Sequence, residues 1–150
     1  AFTAPEGKRE MQDVSFNDDL INIKFGFDKK GQPNMVAFNR LSEKLLKNEI
    51  DSYYIISIDG KDKKVTFFDL YQHLPYTNYN VGTGQVMLKE KSFFESFDQE
   101  KDYSISKYTV IQTLRKMKVQ SHTDHVKLKE IQLKKSLELF DQTLSRYQND

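Results

Sequence analysis

The run Ser52-Tyr53-Tyr54-Ile55-Ile56-Ser57-Ile58 constrains the fold more than any other part of the chain. β-Branched and aromatic side chains suit a pleated surface, and the run is too short for a helix. It is expected to form a central strand. Asp59-Gly60-Lys61-Asp62 follows as a turn, and Lys64 to Leu70, beginning Val65-Thr66-Phe67-Phe68, reads as a further strand. Upstream, Met35, Phe38, Leu41, Leu45 and Leu46 recur at three and four, which predicts a helix over 35–48 with Pro33 near its start. A chain that alternates strands with a helix in this way is of the α/β class.

The ends of the chain complete the pattern. Val14-Ser15-Phe16 reads as a short strand, Asn17-Asp18-Asp19 as a turn and 20–27 as the returning strand of a hairpin. Residues 71–84 read as a loop rich in tyrosine and asparagine that ends Gly82-Thr83-Gly84, before a last strand over 85–88. Beyond about residue 104 the pattern is helical. Val126, Leu133, Leu137, Phe140, Leu144 and Tyr147 make an apolar stripe with Leu128 and Ile131 beside it. Such a stripe is expected to pack on the protein's own core, with a dimer seam as the alternative. The expected organisation is a single domain over 1–150, with a core in 1–100 and a helical region in 101–150.

Composition narrows the function classes. Hydrophobic residues make up 37% and charged residues 30%, values of a folded water-facing domain. No apolar run approaches the ~20 residues of a membrane span. The absence of cysteine excludes disulfides and thiolate metal sites and fits a cytoplasmic setting. Three scattered histidines make no zinc site. The chain opens on Ala1 and not on methionine, so a fragment or processed product is expected. The net charge of +1 is unevenly spread. Lys101, Lys107, Arg115, Lys116, Lys118, Lys127, Lys129, Lys134 and Lys135 gather in 101–135, a set that could meet phosphates or form an ordinary solvated helix face.

The hairpin carries the chemistry. Residues two apart in a strand share a face, so Asn22 and Lys24 point together while Ile21, Ile23 and Phe25 point the other way. If 14–16 pairs with 20–25, Asp13 lies near Asn22. A carboxylate, an amide oxygen and an ammonium then meet at one sheet position. Hard oxygen donors suit Mg²⁺, and a neighbouring lysine can orient an attacking water or offset charge on a phosphate.

Gln12-Asp13, a hairpin-length gap and Asn22-Ile23-Lys24 resemble the PD-(D/E)xK motif. The segment from Val14 to Asp59 looks like type II restriction endonucleases of the EcoRV and HincII kind, in which a metal-binding hairpin leads through an amide-bearing loop to a helix and an apolar strand. "GQPNMVAFNRL" is similar to their loop-helix stretch that approaches DNA, and "YTNYNVGTGQVML" resembles the later segment that meets the grooves. The resemblance covers about residues 12–90. It implies a mixed central sheet flanked by helices, a homodimer, and cleavage of double-stranded DNA with Mg²⁺ or Mn²⁺ as cofactor. By it, Asp13 and Asn22 hold the metal and Lys24 assists the water. Gln32, Asn34, Asn78, Asn80 and Gln85 would contact DNA, with Lys116 and Lys118 on phosphates. Amides pair bidentately with adenine, though Asn and Gly also populate turns for their own reasons.

Two departures stand out. Proline and the second acid are replaced by Gln12 and Asn22, so Glu10 or Glu6 is expected to complete the acidic set. Family members also carry helices before the hairpin, where this sequence has residues 1–12. A non-catalytic DNA-binding module and a protein-interaction domain using 126–147 are the rival readings, the second favoured if the basic residues prove dispersed.

Overall fold

Tyr53 and Ile55 are completely buried, and their strand lies inside a sheet with a neighbour on each side. The computed structural model describes residues 2–5, 12–25, 34–59, 63–89 and 93–148. In chain order these form β1 (Phe2–Thr3), β2 (Val14–Phe16), β3 (Asp19–Phe25), β4 (Asn34–Ala37), α1 (Phe38–Leu46), β5 (Tyr53–Asp59) and β6 (Lys64–Asp69). A 3-10 helix (Leu70–Tyr76), β7 (Thr77–Asn80), β8 (Gln85–Leu88), α2 (Phe93–Ser96) and α3 (Lys107–Arg146) follow.

The larger sheet has the order β1-β2-β3-β5-β6, and the smaller β4-β8-β7. β3 runs parallel to β5, whereas β2 with β3 and β5 with β6 are antiparallel. Parallel neighbours need a crossover, and α1 lies in it. The β2–β3 turn holds Asn17 and Asp18 at φ of 46° and 71°. A two-residue hairpin turn requires such positive angles, and Asn and Asp tolerate them. The mixed α/β class and the expected hairpin are therefore present.

Register decides which face of the larger sheet is the core. Leu20, Asn22 and Lys24 share a face with Tyr53, Ile55 and Ser57, and through β5 with Thr66 and Phe68. On this face pack Phe38, Leu41 and Leu45 of α1, Val86 and Leu88 of β8, and Val110 and Leu114 of α3. Of the apolar side chains of β3, Leu20 packs on the main core, whereas Ile21, Ile23 and Phe25 face away from it. Ile21 is buried and Ile23 half-buried, but Phe25 is 71% exposed. The sheet turns Asn22 and Lys24 inward, because their neighbours on β5 and β6 supply the side chains that α1 covers. On the outer face Tyr54 and Phe67 stack with centroids 4.9 Å apart, and Phe2 meets Phe16 at 4.9 Å.

Three element assignments change. Met35 and Val36 belong to β4 and not to a helix, and α1 begins at Phe38. A register shift between Asn34 and Val36 allows consecutive residues Met35 and Val36 both to be buried, and Met35, three residues before Phe38, continued the helical spacing although it belongs to the strand. Residues 71–84 are not one loop, since they contain most of the 3-10 helix and all of β7. Thirdly, the stripe on α3 does not pack on the protein's own core. The helix is 40 residues long, roughly 60 Å at 1.5 Å per residue, and every residue from 129 to 148 is exposed. Among the described residues no helix is long and apolar enough to cross a membrane.

Candidate active site

The hairpin places Asp13 where its β-ladder would continue, opposite Asn22. Val14 pairs with Ile21, and one residue earlier the Asp13 amide donates to the Ile21 carbonyl at 2.9 Å. The Asp13 carboxylate turns back onto the neighbouring strand, where Oδ2 accepts from the Ile23 amide at 2.7 Å. That bond fixes an exposed carboxylate at the centre of the Asn22-Ile23-Lys24 tripeptide.

Asn22 is only 9% exposed and is held from the core side. Its Nδ2 donates to the Tyr53 hydroxyl at 2.9 Å and to the Met35 carbonyl at 3.2 Å. With the nitrogen committed inward, what Asn22 can offer a cation is its carbonyl oxygen. Lys24, two residues on and half-buried, holds its proton less tightly than a lysine in water. Burial lowers its pKa, and the Asp13 carboxylate works against that shift. Tyr53 is shifted the opposite way: burial raises its pKa, the Asn22 contact lowers it and Asp13 adds a smaller upward push. The Asp13 carboxylate thus acts on both Lys24 and Tyr53.

The donor set is small. Among the described residues no cluster of three or more His, Cys, Asp or Glu side chains could hold a metal. Glu10 and Glu6, expected to complete the acidic set, lie outside the described residues. Gln12 Oε1, one residue before Asp13, is buried without a hydrogen-bond partner among the described residues, so the entry to β2 has an oxygen donor to spare. One carboxylate and one amide oxygen are donors that Mg²⁺ accepts, since it commonly takes one or two protein carboxylates and fills its shell with water and phosphate oxygens. Two cavities of about 400 and 380 Å³ lie elsewhere, one among Tyr76, Phe93, Phe97 and Tyr103 and one between α1 and α3. Neither is lined by the hairpin residues.

The expected DNA contacts separate into three groups. Asn78, Asn80 and Gln85 lie together on the smaller sheet, with Asn80 paired to Gln85 and Asn78 to Met87. Residues two apart share a face, so the three amides occupy the side opposite buried Val86 and Leu88. Asn80 also does turn chemistry: its Oδ1 accepts from the Gly82 amide at 3.0 Å, and its carbonyl from Gly84, whose φ is +69°. Asn34 opens β4, paired with Met87. Gln32 lies outside the described residues. Lys116 and Lys118 do not form one patch, because two helical residues are about 200° apart around the axis. Lys118 donates to Asn39 Oδ1 of α1 at 3.1 Å, whereas Lys116 is exposed elsewhere on the helix. Lys107 lies 3.5 Å from Asp51. The basic residues are dispersed along and around α3.

The sequence reasoning missed Tyr53 as a member of the site. Only the parallel register that sets Leu20 beside Tyr53 reveals it, and nothing in the spacing signals that pairing. No protein-family model matches the chain, and no curated protein matches it.

Proposed function

We propose that this chain is a restriction-endonuclease-like domain that hydrolyses double-stranded DNA with Mg²⁺, or Mn²⁺ in its place. The observation that carries the reading is the Asp13 carboxylate fixed on the Ile23 amide beside Asn22 and a desolvated Lys24. Asp13 and the Asn22 carbonyl oxygen would hold the cation, whose chemistry is to lower the pKa of bound water and neutralise charge on the phosphate. Lys24 hydrogen-bonds the attacking water and offsets charge as it builds on the phosphoryl oxygens. Burial loosens the hold of Lys24 on its proton, the direction a group needs if it is to take one from the water. Hydrolysis adds water across the P–O3′ bond, leaving a 5′-phosphate and a 3′-hydroxyl. Asn78 and Gln85 on the smaller sheet supply amides for base edges. A homodimer would match a palindromic site.

The test is digestion of mixed plasmid DNA by the full chain with Mg²⁺, with Mn²⁺ and with chelator, beside Lys24→Ala. Discrete fragments that need metal and Lys24 support the reading. Tight, salt-dependent DNA binding without cleavage in any metal would instead make this a non-catalytic DNA-binding module. A protein-interaction domain is the second reading, and the dispersal of the lysines together with the exposed end of α3 favours it; absence of salt-dependent DNA binding would decide for it.

A further inference from the structure

Helix α3 carries two seams, on opposite faces. The first, Val110, Leu114, Met117, Ser121 and Leu128, lies against the domain: Val110, Leu114 and Ser121 are buried, and Met117 packs on the core. The second, Val126, Glu130, Leu133, Leu137, Phe140, Leu144 and Tyr147, steps by four and three without a break. It is offset from the first by two residues, about 200° around the helix. It therefore faces away from the domain. Leu133, Leu137, Phe140, Leu144 and Tyr147 are between 50% and 67% exposed. A helix segment standing free in water is marginal by itself, and a solvent face ordinarily carries polar residues.

We infer that this seam pairs with the same seam on a second copy of the chain, the two helices running antiparallel. The four-three step is the spacing two helices need to mesh along a shared line. The flanking charges choose the direction. With the helices antiparallel and Leu137 opposite Phe140 of the second copy, Leu133 meets Leu144 and Glu130 meets Tyr147, whose hydroxyl can donate to the carboxylate. Lys134 then lies beside Asp141 of the second copy, and symmetry repeats that ion pair. A parallel pair would set Glu130 against Glu130 and Lys129 against Lys134, both repulsive. The inference rests on the helix and is independent of the nuclease reading.

Sedimentation equilibrium of the full chain over about 1–100 µM, a range that brackets a micromolar association, tests it. A concentration-dependent dimer is expected, with helix content by circular dichroism checked for every variant. Lys134→Asp should weaken association about tenfold by turning both ion pairs into repulsions, and adding Asp141→Lys should restore it. A parallel dimer would respond in the opposite sense, because Lys134→Asp would relieve the Lys129 clash; tighter association, or failure of the double exchange to restore it, overturns the antiparallel pairing. A chain that stays monomeric over the whole range overturns the inference. So does a dimer that Leu137→Asp with Phe140→Asp leaves intact, since the interface would then lie elsewhere.

Discussion

The side-chain nitrogen of Asn22 donates to the hydroxyl of Tyr53, 2.9 Å away across two parallel strands. This bond ties the candidate site to the centre of the core, because Tyr53 is completely buried. Tyr53→Phe keeps the ring and removes the bond. It should cost about 1 kcal/mol of stability, the net worth of one such hydrogen bond. Urea denaturation measures it, and a variant as stable as the parent would mean that the contact holds nothing.

Asn22→Asp supplies the second carboxylate that the resemblance calls for, yet this site charges for it. Aspartate cannot donate to the Met35 carbonyl, which Asn22 now satisfies at 3.2 Å. The variant should lose about 1–3 kcal/mol without metal, from an unsatisfied carbonyl and a buried charge. Mg²⁺ should restore part of that loss and raise cleavage. Thermal melts with and without Mg²⁺ read both effects; equal melts in the two conditions would remove position 22 from any metal site.

Lys24→Met keeps the apolar stem and removes the charge. Cleavage should fall by about 10²–10³, the scale of one preorganised charge-stabilising group. Stability should move the other way. Burial lowers the lysine's folded pKa below 10.5, so the parent gains stability as pH rises through the window beneath 10.5, and at neutral pH its charge is a cost. The methionine variant should therefore be at least as stable at pH 7, with its advantage shrinking at higher pH. A large loss of stability at pH 7 would assign Lys24 to the fold.

Asp69 offers a pH test away from the site. Its Oδ1 accepts from the amides of Tyr53 and Tyr71, both at 3.1 Å, and burial pushes its pKa from 3.8 up to about 6. The folded state binds the proton more tightly, so the contribution is full below 3.8 and is lost as pH rises through about 6. Asn keeps the acceptor and cannot titrate. Asp69→Asn should gain about 2 kcal/mol on the parent between pH 4 and pH 7. Denaturant melts at the two pH values measure that gain. Burial lowers the pKa of neighbouring His73, an effect common to both proteins that cancels in the difference. An unchanged difference between the two pH values would place Asp69 in contact with water.

Much of the local structure was legible because it depends on neighbours in the chain. The β-branched run of β5, the turn after Phe16 and the continuous apolar step on α3 are statements of period and backbone preference, and each appears where the sequence puts it, with the turn one residue shorter. Met35 shows where period fails: it lies three residues before Phe38 and so extends the helical spacing, yet it belongs to β4. The helical spacing of Val126 to Tyr147 was equally plain, but spacing cannot say what lies on the other side of the stripe.

The sequence by itself determined the α/β class and the hairpin that brings Asp13 near Asn22; the exact register came with the structure, where Asp19 joins β3 and the turn keeps two residues instead of three. Only the tertiary structure decided which face of β3 is covered. Side chains alternate with a period of two, so the sequence defines two faces without choosing between them. The choice came from β5, laid parallel to β3 by the crossover through α1, which brought Tyr53 beneath Asn22. It buried the polar residues and left Phe25 in water.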